Sequence, residues 1–509
     1  MRLNILIGGK AGQGINKVSQ IISSIMTKYG YFIFNYREYP SLIRGGHNFN
    51  ILSFSDKQIG SIESKIDCII ALDDKTIDIH KNDLKNNGFI IGCTEYCDIG
   101  RNANIAQAGA LIKSLGIPKE NLVSEIIKEF GKDNKETVQA AENGYNSKET
   151  KYNLKELAHN KIDIMTGSSA ISQGAINSGI NIYFGYPMTP ATGVLQELGT
   201  RETEGKHMVF LSENEIAVIN HALGASFAGA KVMIGTSGGG FDLMTEALSM
   251  QGMSEIPLVI YLASRPGPGT GIPTFSCQSD LDVALRGGHG EFPRVVIAPG
   301  DPIECIEKTN EAFYLSEKYG TASIILSDKH LAESEFSFDR KPNKIIPIEI
   351  KRKIPGETIV KASSYEHDKN GNTTEYPEIA KNAAINRIKK YNDMKNECEK
   401  KFEMIKIHGK IDSKNLIISW GSNKTVILDS IEGLDYKFLQ VIYMKPLSNK
   451  IREEIKKAKK VILIENNVTG QLGRLIREKT GIKIENRLLK FDGRPFSSDK
   501  LKEEIQKIK

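Results

Sequence analysis

Several residues in this sequence are of the types, and at the spacings, that bind ligands or move protons. Ser212-Glu213-Asn214-Glu215 sits between the apolar run HMVFL and the helix-period run EIAVINHALGASFAGA. Carboxylates there either complement the positive end of a helix dipole or form a buried acid that hydrogen-bonds a ring nitrogen and drives proton movement. Tyr186-Pro187-Met188-Thr189-Pro190 follows NIYFG, and its two prolines stiffen a loop that holds the Thr189 hydroxyl in one place. Thr236-Ser237-Gly238-Gly239-Gly240 follows KVMIG; its glycines either let a flat ring or a phosphate lie against backbone or form a helix-entry turn. Arg265, in SRPGPGTG after PLVIYLA, offers a bidentate fork to a carboxylate. His289, in GGHGEFPR, is either a ligand contact or a core histidine. Near the N-terminus, Gly8-Gly9-Lys10-Ala11-Gly12-Gln13-Gly14 is either an anion-binding turn or a tight strand-to-helix turn. Its order, GxxGxG, breaks the dinucleotide fingerprint, and no Gly-Lys-Ser/Thr completes a Walker loop. Arg44-Gly45-Gly46-His47 is open in the same way: Arg44 binds an anionic substrate tail, or the turn packs between domains.

Such loops need a scaffold, and the hydrophobic pattern supplies one. Short apolar runs alternating with helix-period runs predict an α/β protein of several domains with parallel-type sheets. A first unit is expected over 1–150, with strands LNILIG, YFIFNY, NFNILSF, DCIIAL and GFIIGC, its end a polar helix and linker. A second is expected over 160–350, a third over 411–509, and between them, over 351–410, a linker with an exposed charged helix. Ligands of open α/β sheets bind beyond strand ends. The five glycine- or proline-rich loops of the second unit are therefore expected to converge on one rim.

Composition narrows the class. Of 509 residues, 40% are apolar and 26% charged, ordinary for a globular protein. The net charge of +6 comes from Lys interleaved with Glu and Asp, with no basic-aromatic stripe, so nucleic acid is not an expected partner. No apolar run reaches membrane-spanning length, and MRLNILIGGK reads as a first strand rather than a signal peptide. Six scattered cysteines form neither a disulfide framework nor the four-thiolate spacing of an iron–sulfur cluster, and a cytoplasmic setting is expected.

The runs YPMTPAT, SENEIAVINHALGASFAGAK, TSGGGFDLMTEALSMQGMSEIPLVIYLASRPGPGTGIPT and GGHGEFPRVVIAPGDP occur in this order. They resemble the α subunits of 2-oxoacid:ferredoxin oxidoreductases. GKAGQG through YREYPSLIRGGHNFNI resembles the family's γ subunit, and WGSNK, KPLS, VILIENNVTGQLGRLI and DGRPFS resemble its transketolase-C-like domain.

The resemblance implies a γ–α fusion whose 160–350 unit binds the pyrimidine of thiamine diphosphate. By position it implies Glu213 as the carboxylate on the pyrimidine, with Glu215 as the alternate, beside Tyr186, Pro187, Gly238 and Gly239. Thr189 and Arg265 would contact the 2-oxoacid, with Arg44 and His289 as further substrate-binding residues and Arg44, His47, Arg286 or Arg294 available for a distal carboxylate. The family's GDG segment is missing from this sequence. The resemblance therefore implies a β subunit carrying Mg²⁺, the diphosphate site and the [4Fe–4S] cluster, with coenzyme A as co-substrate and ferredoxin as acceptor. The favoured substrate is 2-oxoglutarate; pyruvate, branched-chain 2-oxoacids and a non-catalytic scaffold role are the alternatives. Two departures stand out. Gly167-Ser168-Ser169-Ala170 replaces Gly-Asn-Glu-Ala, and Ser276-Cys277-Gln278 replaces Thr-Glu-Gln.

Overall fold

The computed structural model describes residues 1–40, 46–158, 161–350, 352–361 and 363–508. Its strands form three sheets. In the first, Arg2–Gly9 pairs parallel with Ile66–Ala71, which pairs parallel with Leu84–Ile91. On its other side Arg2–Gly9 runs antiparallel to Asn48–Ser55, and Asn48–Ser55 antiparallel to Phe32–Glu38. The sheet is therefore mixed, where a parallel-type sheet was expected. Residues 39–47 are too few for the helical crossover that parallel pairing of 32–38 with 48–55 would need.

This sheet also recruits strands from beyond residue 150. Glu335–Phe338 pairs antiparallel with both Phe32–Glu38 and Asp163–Thr166. A backbone–side-chain bond reinforces the junction, the Ile33 amide donating to Ser337 Oγ at 2.6 Å. The helix Ile15–Lys28 sets Val18, Ile21, Ile22 and Ile25 against the sheet, a 3.6-residue stripe that buries one face.

The second sheet is the doubly wound unit. Six strands run parallel in the order Arg294–Ile297, Ala322–Asp328, Leu258–Ser264, Val232–Thr236, Ile182–Gly185 and Met208–Leu211. Tyr443–Lys445 adds an antiparallel edge beside Arg294–Ile297. From Ile182–Gly185 the chain first moves outward to Met208–Leu211, then returns to the opposite side with Val232–Thr236. The strand order reverses at Ile182–Gly185, the geometry that opens a crevice at the carboxyl ends of strands. The buried strands Val232–Thr236, Leu258–Ser264 and Ala322–Asp328 are apolar on both faces because helices cover both.

The third sheet orders Ile405–Gly409, Lys437–Val441, Asn415–Trp420, Lys460–Glu465 and Asn486–Leu489, parallel except for its first strand. It shares a core with the second, Trp420, Leu439 and Leu463 packing in one cluster with Leu262, Leu285 and Ile324. The charged helix expected between them runs Pro377–Lys401 and buries Met394 and Cys398 on an otherwise solvated cylinder. Among the described residues no helix is long and apolar enough to cross a membrane.

Candidate active site

Four of the five loops singled out in the sequence leave the carboxyl ends of neighbouring strands of the second sheet. Residues 186–192 follow Ile182–Gly185, 212–214 follow Met208–Leu211, Ser237 follows Val232–Thr236, and 265–280 follow Leu258–Ser264. They share one rim because parallel strands place every carboxyl end on the same side.

The fifth loop does not reach it. Residues 287–293 precede the strand Arg294–Ile297 and so lie at the opposite edge. The His289 amide donates to Ser249 Oγ at 2.8 Å. Ser249 sits eleven residues along the helix from Gly238, roughly 16 Å at 1.5 Å per residue. The structure does not bring His289 to this rim, nor into the core: it is an exposed residue at the far edge. Arg294 lies at the same far edge, buried against Phe292 with its Nη1 donating to the Ala284 carbonyl at 3.3 Å. Arg286 is committed to Asp282 and Glu478. Arg44 lies outside the described residues, and His47 contacts His80, Nε2 to Nε2 at 3.1 Å, in the first unit.

At the rim, the two candidate carboxylates separate. Asn214 caps the helix Glu215–Phe227, its Oδ1 accepting from the Ala217 amide at 3.0 Å. This starts the helix at Glu215, turns the Glu215 side chain inward and leaves Glu213 exposed in the loop. Glu215 is 4% exposed, and its Oε1 is buried with no hydrogen-bond partner. A buried carboxylate oxygen without a partner costs free energy unless a ligand supplies the donor. The geometry thus favours the alternate, Glu215, over Glu213 as the internal acid.

Gly240 explains why this acid has room. A Cβ on Gly240 would lie 2.7 Å from Glu215 Oε1 and would also strike Thr236 Oγ1. Gly238 and Gly239 open the helix Gly238–Ser254, and Gly239 is exposed with only the Gly269 carbonyl near its missing Cβ. Ser237 Oγ, also at a strand end, is buried without a partner.

Asp280, which no sequence motif singles out, stands opposite Gly238. Its carboxylate oxygens lie 2.7 Å from where a Gly238 Cβ would be, and its Oδ2 is unpartnered. Burial raises its carboxyl above the usual range, against hydrogen bonding from Ser264 and Ser279.

Arg265 is half-buried and donates from Nη1 to the Thr189 carbonyl at 2.9 Å, which ties two of the expected substrate contacts together. Desolvation lowers its guanidinium from the usual value, and the charges of Asp280 and Glu215 oppose that shift. Thr189 is partly exposed, and Tyr186 and Pro187 form the exposed lip of the loop.

The departures at 276–277 are absorbed structurally. Ser276 Oγ donates to Asp328 Oδ1 at 3.3 Å and accepts from the His330 amide at 3.1 Å. Cys277 is 6% exposed, 3.1 Å from Ser279 Oγ, and burial pushes its thiol up to about 12. Only the thiolate is nucleophilic. Iodoacetamide at pH 8 is therefore expected to label exposed Cys97 and spare Cys277, read by peptide mass spectrometry. Labelling of both at equal rates would mean that the loop opens.

Comparison with known proteins matches this arrangement. Residues 173–403 match the family model described as pyruvate flavodoxin/ferredoxin oxidoreductase, thiamine diphosphate-binding. Residues 4–99 match that of pyruvate ferredoxin/flavodoxin oxidoreductase. The 2-oxoacid:ferredoxin oxidoreductase subunit alpha of a Sulfolobus species is 30% identical, the alignment covering 100% of this chain and 97% of that one. The 2-oxoglutarate synthase subunit KorA of Methanocaldococcus jannaschii is 29% identical over 61% of this chain and 90% of its own length. The solved 2-oxoglutarate:ferredoxin oxidoreductase of Magnetococcus marinus, with 2-oxoglutarate, coenzyme A and succinyl-CoA bound, superposes with a TM-score of 0.91 at 26% identity, covering 99% of both chains. The chain belongs to the α-subunit family of the 2-oxoacid:ferredoxin oxidoreductases, a family of oxidoreductases.

Proposed function

We propose that this chain is the pyrimidine-side half of a coenzyme A-dependent 2-oxoglutarate:ferredoxin oxidoreductase, completed by a β subunit that carries the Mg²⁺–diphosphate site and the [4Fe–4S] cluster. The observation that carries the reading is the unpartnered Glu215 Oε1, buried at the rim above Gly240. It fits a ring nitrogen of thiamine diphosphate, which when bound supplies the electron sink for decarboxylation. Glu215 then holds and releases the proton at Oε1. Gly238 and Gly239 let the ring lie close to backbone. Arg265 takes the substrate carboxylate, and the Thr189 backbone fixes the arginine's direction.

The substrate follows from the relatives: the Methanocaldococcus protein is named a 2-oxoglutarate synthase subunit, and the Magnetococcus structure holds 2-oxoglutarate. The partner is supported by the surface. Tyr186, Phe210, Leu211, Ile216, Leu243 and Ile272 are each at least 40% exposed around this rim, an apolar patch of the kind that marks a protein interface. A cytoplasmic location is part of the same proposal.

The test is to purify the chain with what binds it and to follow reduction of a low-potential dye with coenzyme A. The expected result is an iron-bearing partner and turnover with 2-oxoglutarate above that with pyruvate. Turnover with pyruvate or branched 2-oxoacids alone would overturn the substrate; neither partner nor turnover would overturn the catalytic role. Within the active complex, Arg265→Met should raise KM for the 2-oxoacid by roughly ten- to a hundredfold. That corresponds to one charge-assisted hydrogen-bonded pair of about 1.5–3 kcal/mol. An unchanged KM would remove Arg265 from the substrate.

A further inference from the structure

Away from this rim, a cleft of about 700 Å³ lies among the helices Leu281–Arg286, Pro377–Lys401, Lys450–Lys457 and Gln471–Thr480, with the edge strand Tyr443–Lys445 at its floor. Its wall carries six cations, Arg286, Lys395, Lys445, Arg452, Lys456 and Lys479, against two carboxylates, Glu453 and Glu478. That is a local excess of four positive charges in a chain whose whole net charge is +6.

The charges are unevenly satisfied. Arg286 and Lys479 are paired with Glu478. Among the described residues, Lys445, Arg452 and Lys456 have no carboxylate within ion-pair distance. Lys445 is the most exacting of them. Its Nζ reaches only the Leu285 carbonyl at 3.4 Å, and burial, with Arg294, Lys479 and Arg286 nearby, drives its ammonium down to about 8. An ammonium held mostly out of water beside like charges is costly unless an anion joins it. The uncharged wall is apolar at Leu285, Met444, Leu447 and Leu475, with the partly buried ring of Tyr391, and polar at Ser448, Asn449 and Thr480.

We infer that this cleft binds a nucleoside polyphosphate, its phosphates on Lys445, Arg452 and Lys456 and its base against Tyr391 and the aliphatic wall. The volume falls within that of small-molecule sites. A flat acidic protein surface would satisfy Arg452 and Lys456 but not the recessed Lys445, so a small anion is favoured. The site is separate from the catalytic rim and does not depend on the reading given there.

The test is calorimetric titration of the full chain, in its assembled complex, with ATP at about 150 mM salt, where loosely screened surface attraction is weak. Saturable binding is expected, weakened at least tenfold, roughly, in Lys445→Met and in the exposed Arg452→Gln, and unchanged in Lys57→Met at the remote Lys57–Glu432 pair. A coenzyme A competition arm separates two sources of one chemistry. Displacement of ATP identifies the nucleotide half of coenzyme A, and its absence identifies a free nucleotide. No saturable binding by the wild-type chain, or equal affinity in wild type and both cleft variants, overturns the inference. So does a result in which the variants raise the KM for ferredoxin while ATP does not bind, for the cleft would then serve an acidic protein.

Discussion

Glu215→Gln in the assembled enzyme is expected to lower kcat by about 10²- to 10⁴-fold, the range lost with a positioned proton-transfer group. The amide keeps the shape of the carboxyl group but cannot hold and release the proton at Oε1, the buried oxygen without a protein partner. Fold and stability should survive, since the amide keeps the volume of the carboxyl group and Oε1 has no protein partner to lose. Glu213→Gln changes a solvated side chain and is expected to leave kcat within about threefold, the scale of surface substitutions. Steady-state dye reduction with saturating 2-oxoacid and coenzyme A measures both. A dead Glu213→Gln beside a near-normal Glu215→Gln would return the role to the exposed residue.

Lys424→Met should produce the largest loss of stability. Lys424 Nζ binds Asp301 Oδ2 at 2.5 Å and also Glu304, with a side chain only 4% exposed. Glu304 accepts in addition from Gln440 Nε2 and the Gly300 amide, both at 2.7 Å. The neighbouring Thr425 Oγ1 donates to the Gly60 carbonyl at 2.6 Å, so the first, second and third units meet here. Removing the lysine leaves buried Glu304 without its counter-charge and Asp301 with Arg340 alone, a loss of about 3–5 kcal/mol.

The effect depends on pH with a definite sign. Asp301 is pulled down to about 2 by Lys424 and Arg340, against the burial that alone would raise it, from about 3.9 in an unfolded chain. Its contribution is present above about pH 4 and is lost as pH falls through about 2. The gap in apparent melting temperature between wild type and Lys424→Met should therefore be wide at pH 7 and narrow across that acid window. A gap independent of pH would show that packing, not charge, holds the junction.

The rim was readable from sequence because its parts are local. A β-rich run followed by a polar turn, in three cases rich in glycine or proline, marks a strand end, and four such loops on parallel strands share one side. His289 falls away from the rim for a reason also present in the sequence: GGHGEF precedes RVVI, and a loop before a parallel strand belongs to the other edge. The choice between Glu213 and Glu215 was closer, since both fall in one strand-to-helix turn. The cap at Asn214 separates them by setting where the helix begins, which buries Glu215 and leaves Glu213 exposed. Asp280 carried no signal of its own, for its role depends on Gly238 from another loop.

By itself, the sequence determined the α/β class and the order of the glycine loops, as well as the likeness to the 2-oxoacid oxidoreductases. All of these follow from hydrophobic period and backbone freedom along a few consecutive residues. Tertiary structure alone decided that Glu335–Phe338 and Asp163–Thr166 complete the first sheet, that Tyr443–Lys445 extends the second, and that Glu215, Gly240, Arg265 and Asp280 share one crevice. Those pairings join residues tens to hundreds of positions apart. Their free energy comes from burial and hydrogen bonding between surfaces that no local pattern encodes.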